Sequence, residues 1–198
     1  QGKLDESKST FIHALSLNSN DEGIQLSYAN LMLVRGEIID AIEIFSEILD
    51  ANSLNTRAIA NLSVALQSIG ETIIGESHAQ RAIQLDKNNA DAHYAMGLAN
   101  LSKRNFIDGE SSFKTAIKLR SSFPQSECGL SEIHFQGGQL KKSKERAKKA
   151  LSLSPNSGHA LYLLSQSQSC KITEKEKEKL YHLSSTDKIG LDDRIFAF

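Results

Sequence analysis

The chain has 198 residues and a mass of 21.8 kDa, enough for one large domain or an extended array. Hydrophobic residues make up 39% and charged residues 24%, with a net charge of −1, which excludes a disordered polyelectrolyte. Two Pro, 12 Gly, no Trp and 2 Cys exclude collagen-like, Pro-rich and disulfide-framework classes as well. In chain order, the first segment places Phe11, Ala14 and Leu15 on one helical face and reads as a second helix whose partner is absent. From Glu22 onward the sequence repeats every 34 residues, with units opening at Glu22, Thr56, Ala90 and Pro124 and a fifth at Gly158.

Several columns of this lattice agree in size or polarity. Position 7 reads Tyr28, Leu62, Met96, Leu130 and Leu164, and position 8 reads Ala29, Ser63, Gly97, Ser131 and Ser165. Position 20 is small throughout: Ala41, Gly75, Gly109 and Ser143. Position 27 gives Ile48, Ala82, Ala116 and Ala150, and position 28 gives Leu49, Ile83, Ile117 and Leu151. Within a unit, Ala58, Leu62, Ala65 and Leu66 share one helical face, and Ala79, Ala82 and Ile83 share another. Gly36, Gly70 and Gly138 fall at position 15, between the two faces, where a helix end calls for a left-handed residue. Two closely packed helices need small side chains where their backbones approach, and neither can bury its apolar face alone. Neighbouring pairs must therefore stack, which predicts an all-α fold built as an α-solenoid.

The pattern resembles the tetratricopeptide repeat, with large, small and large residues at positions 7, 8 and 24 and small ones at 20 and 27. The resemblance implies a right-handed superhelix of antiparallel helix pairs. It divides the chain into a partial repeat (1–21), repeats 22–55, 56–89, 90–123 and 124–157, and the first helix of a degenerate repeat (158–170). The sequence departs from the family at position 32, where Ser53, Lys87 and Ser121 replace the usual Pro and only Pro155 matches. Position 11 turns polar at Asn100 and His134, and position 15 is Arg104 in the third unit. Residues 171–198 read as a capping helix, a linker and the start of a truncated helix. Thr173 and Glu176 supply a capping box, and Asp192 opens the last segment. With Gln1 at the start and a helix cut short at Phe198, the chain is expected to be a fragment of a larger protein.

Charge is uneven. Residues 1–138 carry 11 Lys and Arg against 17 Asp and Glu, whereas residues 139–198 carry 12 against 7. The basic excess lies in Lys141, Lys142, Lys144, Arg146, Lys148 and Lys149, all expected to face away from the stack on a solvated convex face. No aromatic residue or Arg platform is interleaved with them, so nucleic acid is not an expected partner. No apolar run approaches the ~18 residues of a membrane span and no signal peptide opens the chain, so no membrane partner is expected. Cys128 and Cys170, far apart and outside any CxxC, suit reduced thiols in a cytoplasmic setting.

Catalytic patterns are missing. The sequence has no GxxxxGK[ST], GxGxxG, HExxH or GxSxG, and no His pair at metal-ligand spacing. This segment is expected to be no enzyme and to need no cofactor or metal. What the tetratricopeptide resemblance implies instead is a concave groove lined by the first helix of each unit. Its candidate binding residues are Asn30, Arg57, Asn61, Asp91, Tyr94, Gln125, Glu132, Phe135, His159 and Tyr162. Apolar pockets, amides and few charges suit a peptide or partner domain, since Asn both donates to and accepts from a backbone unit. A terminal carboxylate is disfavoured, because Leu26, Asp91 and Ala95 stand where chaperone-tail binders place cations. An asparagine ladder like that of sugar-transferring arrays is weak here, with position 6 Asn only at Asn61. The tail Ile172–Phe198, with Leu-Asp-Asp-Arg-Ile before Phe-Ala-Phe, is also similar to a segment of bacterial repeat-containing sulfotransferases. That second resemblance implies a catalytic domain beyond Phe198. The sequence leaves oligomeric state open.

Overall fold

The computed structural model describes residues 2–167, and among them there are ten helices and no strand. The capping box, linker and final helix expected in the tail lie outside the described residues. The helices are α1 (Gly2–Leu17), α2 (Glu22–Arg35), α3 (Ile38–Ala51), α4 (Thr56–Ser68) and α5 (Thr72–Leu85). They continue with α6 (Ala90–Ser102), α7 (Phe106–Leu119), α8 (Pro124–Gln136), α9 (Leu140–Leu153) and α10 (Gly158–Gln166). The chain separates into two compact units, Gln1–Ala95 and Met96–Phe198, and the division falls inside α6.

The helix starts follow from the residue before them. Asp21 accepts a hydrogen bond from the Ile24 amide, Asn55 from Arg57 and Ala58, Asn89 from Ala92 and Ser157 from Ala160. Phe123 has no such side chain, and there Pro124 opens the helix with its pre-set backbone. The turn within each pair is also shared. The amide of position 16 donates back to the carbonyl of position 11 at 2.8–2.9 Å, in Glu37 to Met32, Glu71 to Leu66, Asn105 to Asn100 and Gln139 to His134. Position 15 is left-handed each time: φ is 76° at Gly36, 89° at Gly70 and 72° at Gly138. Arg104 takes the same conformation, φ 59°, with its guanidinium 5.6 Å from the Phe106 ring. The turn geometry thus survives the loss of glycine, at the steric cost a Cβ meets there.

In the first unit, Leu26, Ala29, Met32, Ala41, Phe45, Ile48, Ala58, Leu62 and Ala65 form one buried cluster. A second joins Ile59, Ala60, Ala82 and Ala92. Ion pairs fix α1 against the end of α2: Lys8 to Glu37 at 2.7 Å and Arg35 to Asp5 at 2.6 Å. The hydrogen bond from Lys8, then that from Arg35, holds the Glu37 carboxyl below its ordinary range. In the second unit, Phe113 fills the space above two glycines. A Cβ on Gly97 would stand 2.5 Å from its ring, and one on Gly129 would collide with the same ring. This is why large and small columns alternate.

The small columns also carry hydroxyls that bridge helices. Ser63 at position 8 donates to the carbonyl of Gly75 at position 20, at 2.5 Å. Ser131 repeats the bond to Ser143 at 2.9 Å, and the Ser143 hydroxyl meets that of Ser167 at 2.6 Å. A serine there satisfies a buried acceptor that alanine would leave to the helix alone.

One expectation is corrected. Not every basic residue of α9 faces away from the stack. Arg146 and Lys149 reach back to the fully buried Glu127 of α8, at 3.1 and 2.6 Å. Arg146 lies beside the core positions on the helical wheel and Lys149 further round, and both alkyl stems are long enough to carry the charge to the seam.

Candidate functional site

The first helices position two separate polar clusters, one in each unit. In the first unit, Asn30 of α2 and Asn61 of α4 are partly buried, and the Asn61 amide donates to the Asn30 oxygen at 2.9 Å. That bond leaves the Asn30 amide N–H and the Asn61 carbonyl for other partners. Arg57 is exposed in the first turn of α4, Asp91 lies in the first turn of α6, and Tyr94 follows it, partly buried. Two candidates are thereby joined. Asn30 stands at position 9 and meets Asn61 at position 6, so the two belong to different columns of the repeat.

In the second unit, Glu132 of α8 and His159 of α10 come within 3.9 Å, and the Gln136 amide donates to Glu132 at 3.3 Å. Loss of solvent around Glu132 raises its carboxyl above the ordinary range, and the Gln136 bond only partly offsets this. Phe135 is partly buried and Gln125 is exposed. Tyr162 packs on the cluster of Cys128, Ala147, Ala150, Ala160, Leu163 and Leu164. Cys128 and His134 are both buried core groups, and desolvation lowers the His134 imidazole.

Residues that the sequence reading did not single out link successive repeats. The side chain of Asn55 donates to Glu22 at 2.6 Å, and that of Asn89 to the Thr56 carbonyl at 3.1 Å. Position 34 therefore caps one helix and holds the start of the preceding first helix. The column Asp21, Asn55, Asn89 and Ser157 carried that signal, being short and polar in four of its five places. Gln67 donates to the Ser63 hydroxyl and to the Ala95 carbonyl, both at 3.1 Å. Glu127 was visible only as a lone carboxylate among core positions. Among the described residues, no group of three or more His, Cys, Asp or Glu is placed to hold a metal, and no helix is long and apolar enough to cross a membrane.

No protein-family model matches the chain. A tetratricopeptide protein of Thermus thermophilus, TTC0263, superposes with a TM-score of 0.70 at 21% identity, covering 84% of this chain and 91% of that one. The chain has the tetratricopeptide-repeat fold. A second tetratricopeptide protein, YrrB, described as having an unusual peptide-binding site, superposes with a TM-score of 0.51 at 16% identity. That match covers 94% of this chain and 95% of YrrB. By sequence, 104 residues are 27% identical to the probable UDP-N-acetylglucosamine–peptide N-acetylglucosaminyltransferase SPINDLY of Arabidopsis thaliana. The match takes in 52% of this chain and 11% of that relative. The tail similarity to sulfotransferases falls outside the described residues and finds no support in these likenesses.

Proposed function

We propose that this tetratricopeptide chain is a protein-interaction module whose first helices receive an extended peptide or a segment of a partner domain. The observation that carries the reading is the Asn30–Asn61 pair. The one hydrogen bond between the two side chains leaves the Asn30 amide nitrogen and the Asn61 oxygen outside it, and a peptide unit can both accept from the first and donate to the second. Ala29 and Leu62, next to the two asparagines in the chain, are buried, and the bond between the amides orients both side chains before any ligand arrives. Partly buried Tyr94 in the first unit, and separately Phe135 and Tyr162 in the second, supply rigid apolar area with little side-chain freedom to lose. The peptide-binding site in the description of YrrB accords with this reading.

The test is a display library of extended peptides panned against the chain and against Asn30→Ala plus Asn61→Ala. The wild type is expected to enrich a common register, and the double variant to retain those peptides at least tenfold less. Equal retention by both proteins would overturn the role of the amide pair.

A further inference from the structure

We propose that the first-helix face of the second unit takes a cationic side chain, Lys or Arg, of the bound peptide on the carboxylate of Glu132. The inference rests on the peptide-binding reading above and adds the chemistry of the ligand. It begins with how charge is distributed. In the second unit, α8 (PQSECGLSEIHFQ), α10 (GHALYLLSQ) and the α6 segment from Met96 contain no Lys or Arg. The basic residues of its helices stand on α7 and α9, with six on α9 alone. Of the two carboxylates on α8, Glu127 is buried and neutralised by Arg146 and Lys149. Glu132 has no Lys or Arg paired to it among the described residues. It faces the Gln136 amide at 3.3 Å and the His159 imidazole at 3.9 Å, the latter beyond hydrogen-bond reach.

A carboxylate in this position is held at a disadvantage. Its surroundings favour the neutral form, so the folded carboxyl titrates above its unfolded value. The sign follows: as pH rises through that range the folded state gives up a proton less readily than the unfolded chain, and ionised Glu132 lowers stability near neutrality. A cation brought by a ligand would recover that loss through a charge-assisted hydrogen bond. Phe135 lies one turn further along α8, and Tyr162 one turn beyond His159 on α10, so aromatic rings share the face and suit the alkyl stem or guanidinium of such a side chain. A peptide carboxylate or phosphate would meet Glu132 as a like charge.

The experiment uses the chain and a positional-scanning library of extended nonapeptides, acetylated and amidated so that termini carry no charge. At one register, Arg and Lys are expected to be retained about tenfold better than Gln or Glu, the scale of one charge-assisted bond. Glu132→Gln is expected to fold with an unchanged or higher melting temperature, to hold Arg and Lys peptides about tenfold less well than the wild type, and so to flatten that preference to under about twofold. Independently of any variant, citrulline in place of the preferred Arg should weaken wild-type binding about tenfold. A cation preference that persists in Glu132→Gln, or citrulline binding as well as Arg, would overturn the inference while leaving the peptide reading intact. If the wild type retains no peptide from the library, the peptide reading fails and this inference falls with it.

Discussion

The two compact units share a 34-residue spacing yet join their helices with different polar chemistry. In the first, asparagines join the first helices to one another: Asn55 to Glu22, Asn89 to Thr56 and Asn61 to Asn30. In the second, the cap before α8 is Phe123, and charge and hydroxyls take over. Glu127 ties α8 to Arg146 and Lys149, Ser131 and Ser143 tie α8 to α9, and Ser143 reaches Ser167 beyond α10. Packing dictates the volume at each lattice position, because a Cβ at Gly97 or Gly129 would collide with Phe113. It does not dictate which polar atoms make the links, only that each buried one finds a partner. The first unit consequently joins its first helices through amides and keeps its ion pairs partly exposed, whereas the second balances a fully buried carboxylate with two cations, and they should respond differently to substitution.

The largest expected effect tests that dependence. Replacing both Arg146 and Lys149 by Met leaves Glu127 buried without a cation, and stability should fall by about 3–5 kcal/mol. Adding Glu127→Leu should restore most of it, since an apolar residue needs no counter-charge. Chemical denaturation of the two variants decides the point; a triple variant no better than the double would show that the ion pair is not what the cations supply. Next comes Gly97→Leu, which inserts a side chain into the Phe113 ring and should cost about 1–3 kcal/mol by overpacking. An unchanged melting temperature would place Phe113 elsewhere. The smallest effect concerns the turn that both units share. Arg104→Gly relieves a left-handed Cβ but adds freedom to the unfolded chain, and should stabilise by about 1 kcal/mol or less. A clear loss of stability would mean that the Arg104 contact with Phe106 outweighs the strain.

Much of the fold could be read directly from the residues. The period of 34, the all-α class and the left-handed turns at Gly36, Gly70 and Gly138 follow from constraints that recur at fixed spacing. Side-chain volume at positions 7, 8, 20, 24 and 27 is such a constraint, because every unit repeats the same close approach of two backbones. The candidate binding face was legible as a set of positions, but not as pairs. Asn30 with Asn61 and Glu132 with His159 join different lattice positions, so no single column reveals them. The basic helix misled for a related reason. A helical wheel assigns Arg146 and Lys149 by the direction of Cβ, whereas the charge sits at the end of a flexible stem that bends toward Glu127.

By itself, then, the sequence determined where the rods begin, where they turn and which flanks are buried, since these are set by local propensity and by volumes that repeat. Tertiary structure alone decided which amide meets which amide and which cation neutralises the buried acid. Those choices depend on rotamers of side chains that meet across helices, 31 residues apart for Asn30 and Asn61 and 19 for Glu127 and Arg146. Such separations leave no periodic trace in the order of the residues.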